Sequence, residues 1–113
     1  MKFILFIYPD RTVQLTAEQR AAIPEAVSAW VSEMEARGVR EQGHVLQPAS
    51  ETATVRIRDG ETIIGSGPLM DADPEIGGFN ILDCADLDEA VEVASKHPVA
   101  TFGILKLRAF ADV

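Results

Sequence analysis

Few side chains in this sequence have the type and setting to do chemistry. His44 comes first, because a neutral imidazole beside a cleft can take or give a proton near neutral pH. It follows Gly43 and has no orienting partner close in sequence, so an ordinary exposed strand position is the competing reading. The second group is Asp71, Asp73 and Glu75, which alternate along the Gly- and Pro-rich segment 65–79, near Ser66 and the Gly67-Pro68 pair. Carboxylates placed in this way could hold a hard cation or move a proton. The segment lacks the glycine and terminal glutamate of a calcium loop, and Pro74 interrupts it, so no metal and no cofactor is expected. A connection longer than the usual ~4–6 residues more often belongs to a functional loop than to a plain turn. Ser66, Gly67, Pro68, Asp71 and Phe79 are therefore expected to line a small-molecule cleft, with His44 and Asp71 as candidate proton carriers; a solvated loop is the alternative.

The remaining candidates favour structural roles. His97 precedes Pro98, where a partly positive imidazole suits a helix C-terminus. Cys84 ends an apolar run with no histidine near it in sequence, which fits a buried thiol better than a nucleophile. Lys106 and Arg108 share a face of the last strand with Phe102 and Ile104 and could anchor an anion, although exposure at the strand end is the simpler reading. Trp30 lies at helical spacing with apolar neighbours and reads as core. The sequence has no Cys/His metal spacing, no phosphate-binding glycine pattern ahead of a helix and no nucleophile elbow.

The 113 residues suit a single domain, 1–113, and the 47% hydrophobic and 25% charged composition is that of a folded globular chain. A net charge of −8 repels phosphate backbones and anionic membranes at long range, so direct nucleic-acid binding and membrane association are not expected. One cysteine excludes an intrachain disulfide and fits a cytoplasmic setting. The apolar run at residues 3–8 is too short for a signal peptide or a membrane span and reads as a strand.

That strand is apolar on both alternating faces, so both faces are expected to be covered. Thr16 and Gln19 form a capping box. A longer helix is expected to begin with Pro24 in its first turn after a short lead-in; it carries Val27, Trp30, Val31 and Met34 on one face and ends at Gly38. A short strand is expected over 43–48, then a hairpin turning at Asp59-Gly60, with Arg58 opposite Glu61, Ile57 opposite Thr62, and Val55 and Ile64 on a buried face. A strand over 77–84 follows. Next comes a helix capped by Asp86, with Leu87, Ala90, Val91 and Ala94 inward, and the last strand covers 101–108. This order favours an α+β, ferredoxin-like antiparallel sheet with two helices on one face. A second copy packed sheet to sheet would cover the other face, making a homodimer.

The ordered set "MKFILFIY", "ARGV" before "LQP", "VRIRDG", "SGPLMD", "IGGF", "DLDEA" and the closing "LR" resembles the YCII-related family, in particular its DGPF-motif branch. The resemblance implies ferredoxin-like domains paired as a dimeric α/β barrel. Some relatives in the wider family take part in degrading chlorinated aromatics, and the DGPF branch is sometimes joined to, or encoded beside, sigma-type transcription factors. Here Ser66 stands where the family usually has Asp, Leu69 replaces Phe, Asp73 occupies a commonly basic place, and the ending reads Lys106, Leu107, Arg108, Ala109. Gly67, Pro68 and the acid at Asp71 remain. An activity that depends on carboxylates at 66 and 106 is thus not carried over. Two readings stay open: a small-molecule-binding or weakly catalytic barrel whose cleft is lined by the 65–79 loop, and a non-catalytic accessory module that binds a protein partner linked to transcription regulation.

Overall fold

The computed structural model describes residues 1–67 and 75–112. Eight main elements follow one another: β1 (Lys2–Pro9), α1 (Ala17–Ala36), β2 (Arg40–Val45), β3 (Ala53–Arg58), β4 (Glu61–Ser66), β5 (Gly78–Asp83), α2 (Leu87–Ser95) and β6 (Gly103–Ala109). The strand with two apolar faces takes an inner position, as its composition requires, in an antiparallel sheet of order β2-β5-β1-β6. With the β3-β4 hairpin set aside, the β-α-β-β-α-β order and this strand arrangement are ferredoxin-like.

Thr16 starts α1 with a complete capping box. Its hydroxyl accepts from the Gln19 amide at 3.1 Å, and the Gln19 carboxamide accepts from the Thr16 amide at 2.9 Å. This cap draws the expected lead-in and the main helix into one 20-residue helix, so Pro24 is interior rather than in the first turn. Pro24 is solvent-exposed, where the carbonyl freed by its missing amide can meet water. Gly38, at φ +73°, closes the helix in the left-handed conformation that suits glycine, and the following chain enters β2 at Arg40, earlier than the sequence pattern indicated.

Both helices lie on one face of the sheet. Phe3 and Leu5 of β1, Leu82 of β5, Trp30 and Met34 of α1, and Ala90 and Val93 of α2 form the centre of the core, with Leu105 and Leu107 of β6 against it. Cys84 joins this core, and burial pushes its thiol pKa up, as a structural cysteine should. In α2 the inward stripe is Ala90, Val93 and Ala94; Leu87 and Val91, expected inside, are exposed. The Trp30 indole N–H donates to the Val93 carbonyl at 3.0 Å, a bond that ties the C-terminal end of α2 to α1.

The opposite face of the sheet carries Ile4 beside Ile81 and Phe6 beside Phe79, flanked by Lys106 and Arg108. Both basic residues are exposed, and the Lys106 ammonium lies 4.9 Å from the centre of the Tyr8 ring. The β3-β4 hairpin adopts the expected register through Asp59 and Gly60, at φ +52° and +78°, but it forms a separate two-stranded sheet. Val55 and Ile64 are therefore exposed at 65% and 72% rather than buried, together with Ile57. Because the hairpin projects, the radius of gyration is 16.4 Å, against about 13 Å for a compact chain of this length.

Candidate functional site

A cavity of about 550 Å³ opens beneath α1, where the ends of β1, β2 and β5 meet the turn after α2. Its apolar wall includes Ile7, Ile23, Val27, Trp30 and Phe102. Polar residues along its lining include Arg40, Asn80 and His97, with Asn80 and His97 buried, alongside Tyr8, His44, Gln47 and Glu75. Asn80 is 5% exposed and points to the helix side of β5, the same side as Leu5. The Arg40 Nε donates to Asn80 Oδ1 at 2.9 Å, while Arg40 Nη1 donates to Glu35 Oε1 at 2.8 Å.

Gly43 makes this arrangement possible. A β-carbon there would collide with Asn80 Oδ1 and lie 2.6 Å from Arg40 Nη2, so the missing side chain leaves the space in which the two polar groups meet. Close approach of backbones recurs at Gly78, where a β-carbon would stand 2.8 Å from the His44 carbonyl oxygen on the neighbouring strand.

His97 is 3% exposed, and its ring meets Trp30 edge-on at a centroid distance of 4.6 Å. Its Nδ1 accepts from the Val99 amide at 3.0 Å, so the neutral ring carries its proton on Nε2. Burial, reinforced by the nearby Arg40 charge, pulls its pKa down to about 4. The partly positive cap expected from the sequence is thus a neutral, buried imidazole that caps the short Pro98–Thr101 turn through its ring nitrogen.

His44 lies exposed on β2 opposite Phe79, with ring centres 5.7 Å apart; the two residues border the cavity, but because Gly43 and Asn80 face the helices, the His44 and Phe79 side chains lie on the opposite face of the sheet. Ser66 and Gly67 end the β4 side of the hairpin, where the Gly67 amide donates to the Thr52 carbonyl at 2.6 Å; neither lines this cavity. Pro68 and Asp71 lie outside the described residues. Glu75 lines the cavity and pairs with Arg11 from the loop after β1. Among the described residues no group of three or more His, Cys, Asp or Glu side chains could hold a metal ion.

Sequence reasoning missed Arg40, Gly43 and Asn80 and gave His97 the wrong charge state. The one available signal was Asn80 itself, a lone amide inside an otherwise apolar strand, which must find a hydrogen-bond partner when buried.

A family model described as the YCII-related domain matches residues 1–112. The chain belongs to the YCII-related family. An uncharacterised protein, R00369, from Rhizobium meliloti (strain 1021) is 34% identical over 82 residues, a match covering 59% of this chain and 66% of that relative's length. Among solved structures, this YCII-related chain is similar to 5-chloro-2-hydroxyhydroquinone dehydrochlorinase from Burkholderia phenoliruptrix AC1100, in complex with 2,5-dihydroxybenzoquinone. The TM-score is 0.54 at 15% identity, covering 98% of this chain and 94% of the other. At that identity the likeness establishes the shared α+β fold.

Proposed function

We propose that this YCII-related protein binds a small organic molecule in the cavity beneath α1 and acts on it weakly or carries it. The observation that carries this reading is the cavity itself: about 550 Å³, mostly apolar, with a few buried polar side chains gathered in its lining. Specific small-molecule sites have this composition. The structural neighbour's complex with 2,5-dihydroxybenzoquinone supports the capacity of this fold to hold a small oxygenated ring. Asp71 is the candidate proton carrier in this reading; the His44 side chain, paired with Phe79, lies on the face opposite the cavity, toward the proposed second copy.

The chain works as a homodimer in this proposal. A second copy covers the face carrying Ile4, Phe6, Phe79 and Ile81, which the helices of the same chain leave open. Among the described residues no helix is long and apolar enough to cross a membrane. In this proposal the protein is cytoplasmic, and the net charge of −8 supports a role without direct nucleic-acid contact. A second reading, an accessory module for a protein partner linked to transcription regulation, draws support from the exposed Val55, Ile57 and Ile64 on the projecting hairpin.

Native mass spectrometry of gently purified protein tests the first reading. A dimer carrying releasable extra mass is the expected result, and Val27→Trp, which intrudes on the cavity from α1, is expected to reduce that mass. A bare dimer that stays bare when incubated with small aromatic acids and alcohols would shift the weight to the protein-partner reading.

A further inference from the structure

Arg40, Asn80 and His97 each turn a hydrogen-bond donor toward the cavity. Asn80 Oδ1 is held by Arg40 Nε, which leaves the Asn80 Nδ2 hydrogens as its remaining hydrogen-bonding capacity. His97 Nδ1 is held by the Val99 amide, which leaves the proton on Nε2. No buried side-chain nitrogen or oxygen among the described residues is left without a partner, so Asn80 Nδ2 and His97 Nε2, which bond to no described residue, are open to the cavity although Asn80 is 5% and His97 3% exposed as residues. Arg40 adds Nη2, which lies over Gly43 on the cavity lining. Arg40 and Asn80 are directly bonded, and His97 lines the same cavity.

We infer that the cavity selects ligands bearing an anionic oxygen group, a carboxylate or an enolate, which seats on Asn80 Nδ2, His97 Nε2 and Arg40 while an apolar body lies against Trp30, Val27 and Phe102. This rests on the small-molecule reading and names the ligand chemistry that the reading leaves open. Donors that open into a mostly apolar cavity have few competing partners there, so an acceptor placed among them gains their hydrogen bonds. A charged acceptor gains more than a neutral one because its hydrogen bonds are roughly twice as strong. Glu35 sits on the far Nη1 of Arg40 and Glu75 is engaged with Arg11, so the two carboxylates nearest the site are already paired. The net charge of −8 slows the approach of an anion without removing these short-range bonds.

Benzoate and benzyl alcohol, equal in body and different in charge, are suitable probes for calorimetry or NMR titration. The wild-type protein is expected to bind benzoate at least ~10-fold more tightly than benzyl alcohol. Asn80→Asp keeps the bond to Arg40 but replaces the amide donor with a negative charge, and it is expected to erase that preference. His97→Phe, which keeps an aromatic ring beside Trp30 and loses the Nε2 proton, is expected to reduce it and serves as a second variant should Asn80→Asp fold poorly. Benzoate is also expected to raise the titration of His97 from about 4. Equal binding of the two probes to wild type, or a preference that survives both substitutions, overturns the inference and leaves the small-molecule reading standing. Binding of neither probe overturns both.

Discussion

Gly43→Ala is expected to unseat the amide of Asn80 and destabilise the protein by about 1–3 kcal/mol, the usual cost of leaving buried polar groups without their partners. The new methyl group would occupy the place of Asn80 Oδ1 and press on Arg40 Nη2. Both are the ends of flexible side chains, so the backbone of β2 survives and the loss falls on the Arg40–Asn80 bond. Urea denaturation of wild type, Gly43→Ala, Asn80→Ala and the double variant checks this. The double variant should cost less than the sum of the two single changes, because the displaced amide is already gone, with a coupling of about 0.5–3 kcal/mol. Strict additivity would mean that Gly43 is required for some other reason.

Acid is expected to weaken the fold through His97 before it acts on the ion-paired carboxylates. The unfolded chain takes up a proton on this residue near pH 6.5, whereas the buried ring in the folded chain does so only at about 4. Because the unfolded state binds the proton more readily, stability is fully present above pH 6.5, declines as the pH falls from there, and levels off below about 4. The loss is on the order of 2–3 kcal/mol. The Arg37 guanidinium, bonded to both Glu92 oxygens at 2.8 and 3.2 Å, holds that carboxyl at about 2, and Thr12 lowers Asp10 as well. Stability from Glu92 is lost as the pH falls from about 4.5 toward 2, so this window begins where that of His97 ends. His97→Gln should flatten the stability profile between pH 6.5 and 4 and leave the acid limb below it. A profile of wild type that is already flat in that interval would mean that His97 is charged in the folded protein.

Local patterning revealed the elements and some of their pairings, and the limits of that information are physical. The two-faced apolar β1, the Thr16 and Asp86 caps and the Asp59-Gly60 turn are properties of short segments, and each appears in the structure. Alternation along the hairpin does not say what its apolar side will meet, so Val55 and Ile64 read as buried although the hairpin stands apart from the main sheet. Helical spacing placed Leu87, Ala90, Val91 and Ala94 on the inner face of α2, whereas the structure turns in Ala90, Val93 and Ala94, because the docking of α2 on α1 and the sheet is set by residues far apart in sequence. The donor cluster was illegible for the same reason. Arg40 and Asn80 are 40 residues apart and meet only because β2 pairs with β5, and the space they share depends on a glycine whose role shows only in three dimensions. The charge state of His97 depends on burial under α1, which no neighbour in sequence announces.

The sole tryptophan of the chain, Trp30, lines the cavity, so its emission reports directly on whether a small molecule enters. Titrating the wild-type protein with benzoate while following Trp30 fluorescence is the measurement closest to the central claim. A saturable change with one site per chain is the expected result. Emission that stays constant, or drifts in proportion to benzoate without saturating, would contradict the cavity as a small-molecule site.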